Sequence, residues 1–309
     1  MRSVTTVDGV ALYIEEYGPD AGLTIVLVHG YALDHSFWRY QVHDLADLGR
    51  VVCFDQRAHG RSGRSAVVRC TIDQLGEDLA LVLDEVAPTG PVVLIGHSMG
   101  GMTIMALAGR HPEWFGSRIV GVGLLQTSAG KMAEVTFGVP RLAGPLLTRL
   151  RPELLVGLSR AVPGRVWPGT GRNGSEPARI GGRLGHELAQ ALVQRFSFGS
   201  SAGLELVAAA EEMLAGTSLE TLAAFAPTFL RHDKLRALGV LHDIPVLVVA
   251  ADADLMTPTA HSEAIADALP HATLLLVHDA GHLAPMERPE VVTPALCELV
   301  RRALSARAT

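Results

Sequence analysis

The chain has 309 residues, 48% of them hydrophobic, which is enough to bury a sizeable core in one large domain or in a domain carrying an insertion. Its 26 Lys and Arg against 32 Asp and Glu give a formal charge of −6, which argues against a nucleic-acid partner. Cys53, Cys70 and Cys297 are scattered with no CxxC pair, and so argue for a reducing compartment and against a zinc site.

The amino terminus, "MRSVTTVDGVALYIEEYG", lacks the basic start and continuous apolar stretch of a secretory signal, so a cytoplasmic protein is expected. It reads as a hairpin, Val4 to Val7 and Val10 to Glu15 around an Asp8-Gly9 turn. Six apolar runs follow, at 23–30, 50–55, 91–96, 119–126, 245–251 and 272–279. Each is hydrophobic on both faces, as strands of a covered parallel sheet must be. Helical patterns lie between most of them. Thr71 opens one with a capping box to Gln74, and Ile72, Leu75, Leu79, Val82 and Val86 then share one face until Pro88 and Gly90. Another runs from Met99 to Arg110 and stops at His111-Pro112. Strands alternating with helices predict an α/β sandwich with right-handed crossovers.

Between Gly130 and His242 the alternation stops and the patterns are helical. The segment 131–240 is therefore expected to be a helical cap inserted into a core formed by 1–130 and 241–309. The cap includes a Gly/Pro-rich loop at 164–182 and two good helices, "GLELVAAAEEMLAG" and "SLETLAAFAPTFLRH", the second capped by Ser218. Residues 131–200 hold Lys131 and nine arginines against four glutamates, a charge of +6 against −12 for the remainder. Two readings stand: a solvated face whose arginines pair with core carboxylates, or a surface that draws in an anionic, acyl-chain-bearing substrate.

The run Pro91 to Gly109 holds no ionisable residue except His97, a length close to a membrane span. A proline start and β-branched residues favour a strand for its first half instead. Gly96-His97-Ser98-Met99-Gly100 then fits G-x-S-x-G, a sharp strand-to-helix turn that exposes a serine Oγ. The glycines allow backbone to approach backbone, and the Met99 N–H at the helix N-terminus would face a developing oxyanion.

A serine needs a base to become a nucleophile. His282, in the loop after the last apolar run, is the candidate, because this chain order places the base there. His35, His43, His111, His232 and His271 read as exposed or helix-end residues, and His29 and His59 as structural residues in glycine-flanked turns. The orienting carboxylate comes from Asp252 or Asp254, since Gln126, Thr127 and Ser128 after the run at 119–126 offer no acid. Asp252 reads as a turn former that bonds loop N–H groups, which leaves Asp254 as the acid. A second oxyanion donor is expected in "LVHGYALDHSFW", from the backbone N–H of Tyr31.

Taken in order, "HGY", "DQRAHGRS", "GHSMGG", "DADLMTP" and "AGHLAPMERPE" resemble an α/β-hydrolase-fold serine hydrolase over most of the core. The resemblance implies an eight-stranded, mostly parallel sheet, a Ser98–His282–Asp254 triad, an oxyanion hole from Tyr31 and Met99, and no metal or organic cofactor. It also places the acid four residues before a proline, here Pro258. Within "DQRAHGRS", Ala58 departs from the glycine usual in that turn of the family. The implied reaction is cleavage of a small-molecule carboxylic ester or thioester through an acyl-enzyme on Ser98. Runners-up are a cofactor-free haloperoxidase or perhydrolase, a proline iminopeptidase-like enzyme, and a ligand-binding receptor that retains the triad.

Overall fold

The computed structural model describes residues 2–20, 22–135, 193–200 and 202–306. The expected loop at 164–182, and every basic residue of 131–200 except Lys131 and Arg195, lie outside the described residues.

Eight strands form one sheet: β1 (Arg2–Thr5), β2 (Ala11–Tyr17), β3 (Thr24–Val28), β4 (Arg50–Phe54), β5 (Val92–His97), β6 (Ile119–Leu125), β7 (Val246–Ala251) and β8 (Thr273–Val277). Their spatial order is β1-β2-β4-β3-β5-β6-β7-β8; β2 runs antiparallel to β1 and β4, and all other pairs are parallel. The hairpin turns at Gly9, where φ is +83°. Order reverses between β3 and β5, so the carboxyl ends of these central strands diverge at a crevice where an open α/β sheet takes its ligands.

The central strands β3 to β7 are apolar on both faces because both are covered. Val92 and Leu94 enter one core with Leu79, Val82 and Val86 of α2 (Ile72–Val86) and Ile104 and Leu107 of α3 (Met99–Arg110). Val93 and Ile95 enter the other with Leu45 of α1 (Val42–Ala46) and with Leu296 and Val300 near the carboxyl terminus. Burying one such leucine or valine stabilises the fold by about 1.5–3 kcal/mol. The Thr71 side chain accepts from the Gln74 N–H, as the capping pattern predicts. Two expected helices are present as α4 (Leu204–Gly216) and α5 (Leu219–Arg231), the latter capped by Ser218. Three more helices follow: α6 (Thr259–Ala268), α7 (Ala284–Glu287) and α8 (Pro289–Ser305).

The run at 272–279 is not covered on both faces. It forms β8 at the sheet edge, bonded only to β7, and leaves Leu274 and Leu276 exposed. His35, the first residue of a short 3-10 helix, and His232, the C-cap of α5, lie at helix ends as expected, and both are buried. His35 bonds Asp55, and His232 donates to the Ser128 carbonyl.

Candidate active site

β5 ends in the turn anticipated from its glycines. Ser98 takes φ +52° and ψ −117°, a conformation that costs a non-glycine residue about 1–3 kcal/mol. Its neighbours must be glycine for lack of space. A Cβ on Gly96 would lie 2.6 Å from the Gly100 backbone, and one on Gly100 2.0 Å from the Val28 oxygen. The turn thus jams α3 against β3 and lifts Ser98 to the carboxyl edge of the sheet.

There Ser98 Oγ lies 2.9 Å from His282 Nε2, and His282 Nδ1 lies 2.9 Å from Asp254 Oδ2. A carboxylate only accepts, so the imidazole proton sits on Nδ1 and the Nε2 lone pair faces the serine hydroxyl. Asp254 is held by its own loop: its Oδ1 accepts the N–H groups of Met256 and Thr257 at 2.8 and 2.9 Å, and its Oδ2 accepts the Thr257 hydroxyl at 2.8 Å. Sequence reasoning gave the turn-forming role to Asp252 and missed Thr257. In the structure Asp254 both forms the turn and meets the histidine, while Asp252 is half exposed and pairs with His278 at 3.0 Å.

The Tyr31 N–H is aimed by a peptide plane. The Gly30 carbonyl accepts from His29 Nδ1 at 2.7 Å and from Leu33 N–H at 3.3 Å. In a planar trans peptide the Tyr31 N–H points the opposite way. Gly30 packs close to Ser98, since a Cβ on it would fall 3.2 Å from the serine Cβ. Among the described residues, neither the Tyr31 nor the Met99 N–H donates to a backbone acceptor. His29 is completed by the Gln56 N–H, which donates to its Nε2 at 2.9 Å, and burial pushes its pKa down, keeping it neutral. The Tyr31 ring packs edge-on against Phe229 of α5, and its hydroxyl donates to the Leu222 carbonyl at 2.5 Å.

Glu287 is a second residue that sequence reasoning passed over. Its buried carboxylate accepts the Gly199 N–H at 3.0 and 3.1 Å and the Gly281 N–H at 2.9 Å, while Leu283 N–H donates to the Ser197 carbonyl at 2.8 Å. These bonds tie the described segment 193–200 to the loop that carries His282. An acid inside "PMERPE", in a loop rich in backbone donors, was the only signal for it.

One described trio, Asp34, His35 and Asp55, has metal-type donor atoms within 4.8 Å of one another. Those atoms are already used. Asp55 Oδ1 accepts from His35 N and Nδ1 at 2.7 and 2.8 Å, its Oδ2 accepts the Arg61 N–H at 2.7 Å, and Asp34 Oδ1 caps Ser36 at 2.8 Å. The trio braces the turn behind Tyr31. Ala58, in the same turn, has φ +62°, the left-handed conformation that explains why glycine is the usual residue. No described helix is long and apolar enough to cross a membrane.

A 3-oxoadipate enol-lactonase 2 from Acinetobacter baylyi is 27% identical over 302 residues, covering 97% of this chain and 97% of the relative. A non-heme chloroperoxidase from Streptomyces lividans is 26% identical, covering 97% and 100%. Among solved structures, a thermophilic esterase from Thermogutta terrifontis superposes with a TM-score of 0.72 at 27% identity, covering 98% of this chain and 99% of its own. The sequence pattern of the Alpha/beta hydrolase family matches residues 25–295, and the chain belongs to that family.

Proposed function

We propose that the protein is a serine hydrolase that cleaves a small carboxylic ester or thioester through an acyl-enzyme on Ser98. The observation that carries this reading is the continuous hydrogen-bonded chain from Ser98 Oγ through His282 to Asp254, with links of 2.9 Å each. As Ser98 Oγ attacks the acyl carbon, its proton passes to His282 Nε2, and Asp254 stabilises the imidazolium and holds its orientation. The carbonyl oxygen becomes an oxyanion between the Met99 and Tyr31 N–H groups, one such donor being worth about 10²–10³ in kcat. Collapse breaks the bond to the alcohol or thiol, which leaves with the Nε2 proton. Water, deprotonated by the same nitrogen, then adds to the acyl-enzyme and releases the acid and free Ser98.

An enol-lactonase and an esterase among the similar proteins support an ester-type substrate. The similarity to a chloroperoxidase favours a second use of the same acyl-enzyme, attack by hydrogen peroxide in place of water. The test is stoichiometric labelling of Ser98 by a fluorophosphonate together with turnover of a p-nitrophenyl ester chain-length series, with and without peroxide. Labelling with many turnovers supports the enzyme. Labelling without turnover supports a ligand-binding receptor, and no labelling overturns the nucleophile. Attraction of an anionic substrate by the +6 segment 131–200 would make kcat/KM fall steeply with salt for an acyl-CoA but not for a neutral ester of equal chain length.

A further inference from the structure

His97, the residue before the serine, has no part in the proton path above, yet it is fully buried and lies against Gly30, Phe37 and His282. Its Nε2 lies 2.7 Å from the main-chain oxygen of His282. A carbonyl can only accept, so His97 carries its proton on Nε2 and donates it. Its Nδ1 is then a bare lone pair, and it is buried without a partner. Gly30 lies against that nitrogen so closely that a Cβ there would sit 2.7 Å away. The ring lies 4.4 Å from Phe37 and 4.9 Å from the His282 ring, centroid to centroid. Burial, and then the nearby His282 imidazole, hold its pKa well below the ordinary histidine range.

Consecutive residues of one turn therefore hold both ends of His282: Ser98 meets its side chain and His97 its backbone. The β5 turn is tightly constrained, with no room for a Cβ on Gly96 or Gly100, whereas His282 rides on a loop after the edge strand β8. A hydrogen bond from the turn to that loop transfers the rigidity of one to the other. We propose that His97 is a positioning residue, whose Nε2–H fixes the main chain of His282 and thereby sets the Nε2-to-Oγ distance. This rests on Ser98 being the nucleophile. Protonation of His97 would place a cation beside the imidazolium that His282 becomes, so the residue works as a neutral donor.

The test compares His97→Phe, which keeps a ring against Phe37 but cannot donate, with His97→Gln, whose amide can donate from nearly the same place. A misplacement of about 1 Å near reacting groups costs on the order of 10²-fold. For p-nitrophenyl acetate, His97→Phe should lower kcat about 10- to 100-fold with KM nearly unchanged, and His97→Gln should restore most of it. Proton NMR gives a readout independent of turnover: the downfield His282 Nδ1 proton should broaden or shift in His97→Phe and return in His97→Gln. Equal losses in both variants, or a rise in KM alone, would show a packing role and overturn the proposal. An unperturbed His282 signal in His97→Phe would do the same. Should His97→Phe fail to fold, His97→Asn, whose shorter amide cannot reach the carbonyl, takes its place with the same expectations. Ser98→Ala is assayed in parallel. If it keeps turnover, the nucleophile is what has failed, and the NMR signal still decides for or against His97.

Discussion

Two serine–histidine pairs stand at the carboxyl edge of this sheet, one after β5 and one after β6, and their contrast teaches what separates two serines held equally close to a histidine. Ser98 Oγ is 2.9 Å from His282 Nε2, and Ser128 Oγ is 2.8 Å from His261 Nδ1. By distance alone the second pair is as good as the first. The hydroxyl proton separates them. In Ser128 it goes to the Gly130 carbonyl at 2.5 Å, while Oγ accepts from the Gly130 N–H at 3.1 Å and so must also accept from His261. His261 is the donor in that bond and cannot serve as a base toward Ser128. In Ser98 the proton faces a lone pair, because Asp254 fixes the histidine tautomer from the far side. A base, a carboxylate behind it and an uncommitted hydroxyl are all required; proximity supplies none of them.

The sharpest way to break this comparison is to remove each hydroxyl in turn. Ser98→Ala should lower ester turnover by about 10⁶ and abolish fluorophosphonate labelling. Ser128→Ala should leave kcat within a few-fold. A Ser98→Ala variant with a tenth of wild-type activity, or a Ser128→Ala variant without any, would reverse the assignment. Next in size is the carboxylate. Asp254→Asn should cost about 10⁴ in kcat by stabilising the wrong imidazole tautomer. Asp252→Asn removes only a half-exposed partner of His278 and should change kcat little; if it proves the more damaging change, the acid is misassigned.

Stability should move in the other direction. Ser128→Ala leaves the buried groups around Gly130 without their partner and should cost about 1–3 kcal/mol in urea denaturation, whereas Ser98→Ala should be nearly neutral. Equal effects would mean that the Ser128 network is not structural.

The smallest effect is read from pH. Burial pushes the pKa of His261 and of His232, both bonded to Ser128, below the ordinary histidine range, and holds that of the buried His59 at about 3. Below about pH 6.5 the unfolded chain takes up protons that these native imidazoles refuse, so stability is full above that pH and is lost as pH falls toward the native values. Each can contribute up to about 1.4 kcal/mol per pH unit. His35 works in the opposite sense. Although burial is the largest influence on it, bonding to Asp55 leaves its pKa raised, so its contribution is present below about 6.5 and lost as pH rises. Replacing His261 with Gln should flatten the urea midpoint between pH 6.5 and 5, and an unchanged slope would remove it from the neutral set.

Local pattern carried much of this molecule. The alternation of apolar runs with helical periodicity gave five of the six runs their covered environment, and Thr71, Ser218 and His111-Pro112 marked helix ends where the chain places them. The elbow was legible because Gly96 is dictated by Gly100 only a few residues away, although Gly100 is itself dictated by Val28 of the neighbouring strand. β8 misled because a run's composition says nothing about whether it ends at a sheet edge. Asp252 misled for a related reason, since its partner His278 is set by the assembled sheet, and the burial of the helix-end residues His35 and His232 is set there too. His97 and Glu287 act on backbone groups that every residue carries, so no letter in the chain announces their partners. Sequence alone determined which elements form and which serine sits in the strained turn, because both depend on neighbours in the chain. Tertiary structure alone decided which aspartate reaches His282 and which of two serines keeps its proton free, because both turn on ångström-scale contacts between loops brought together by the fold.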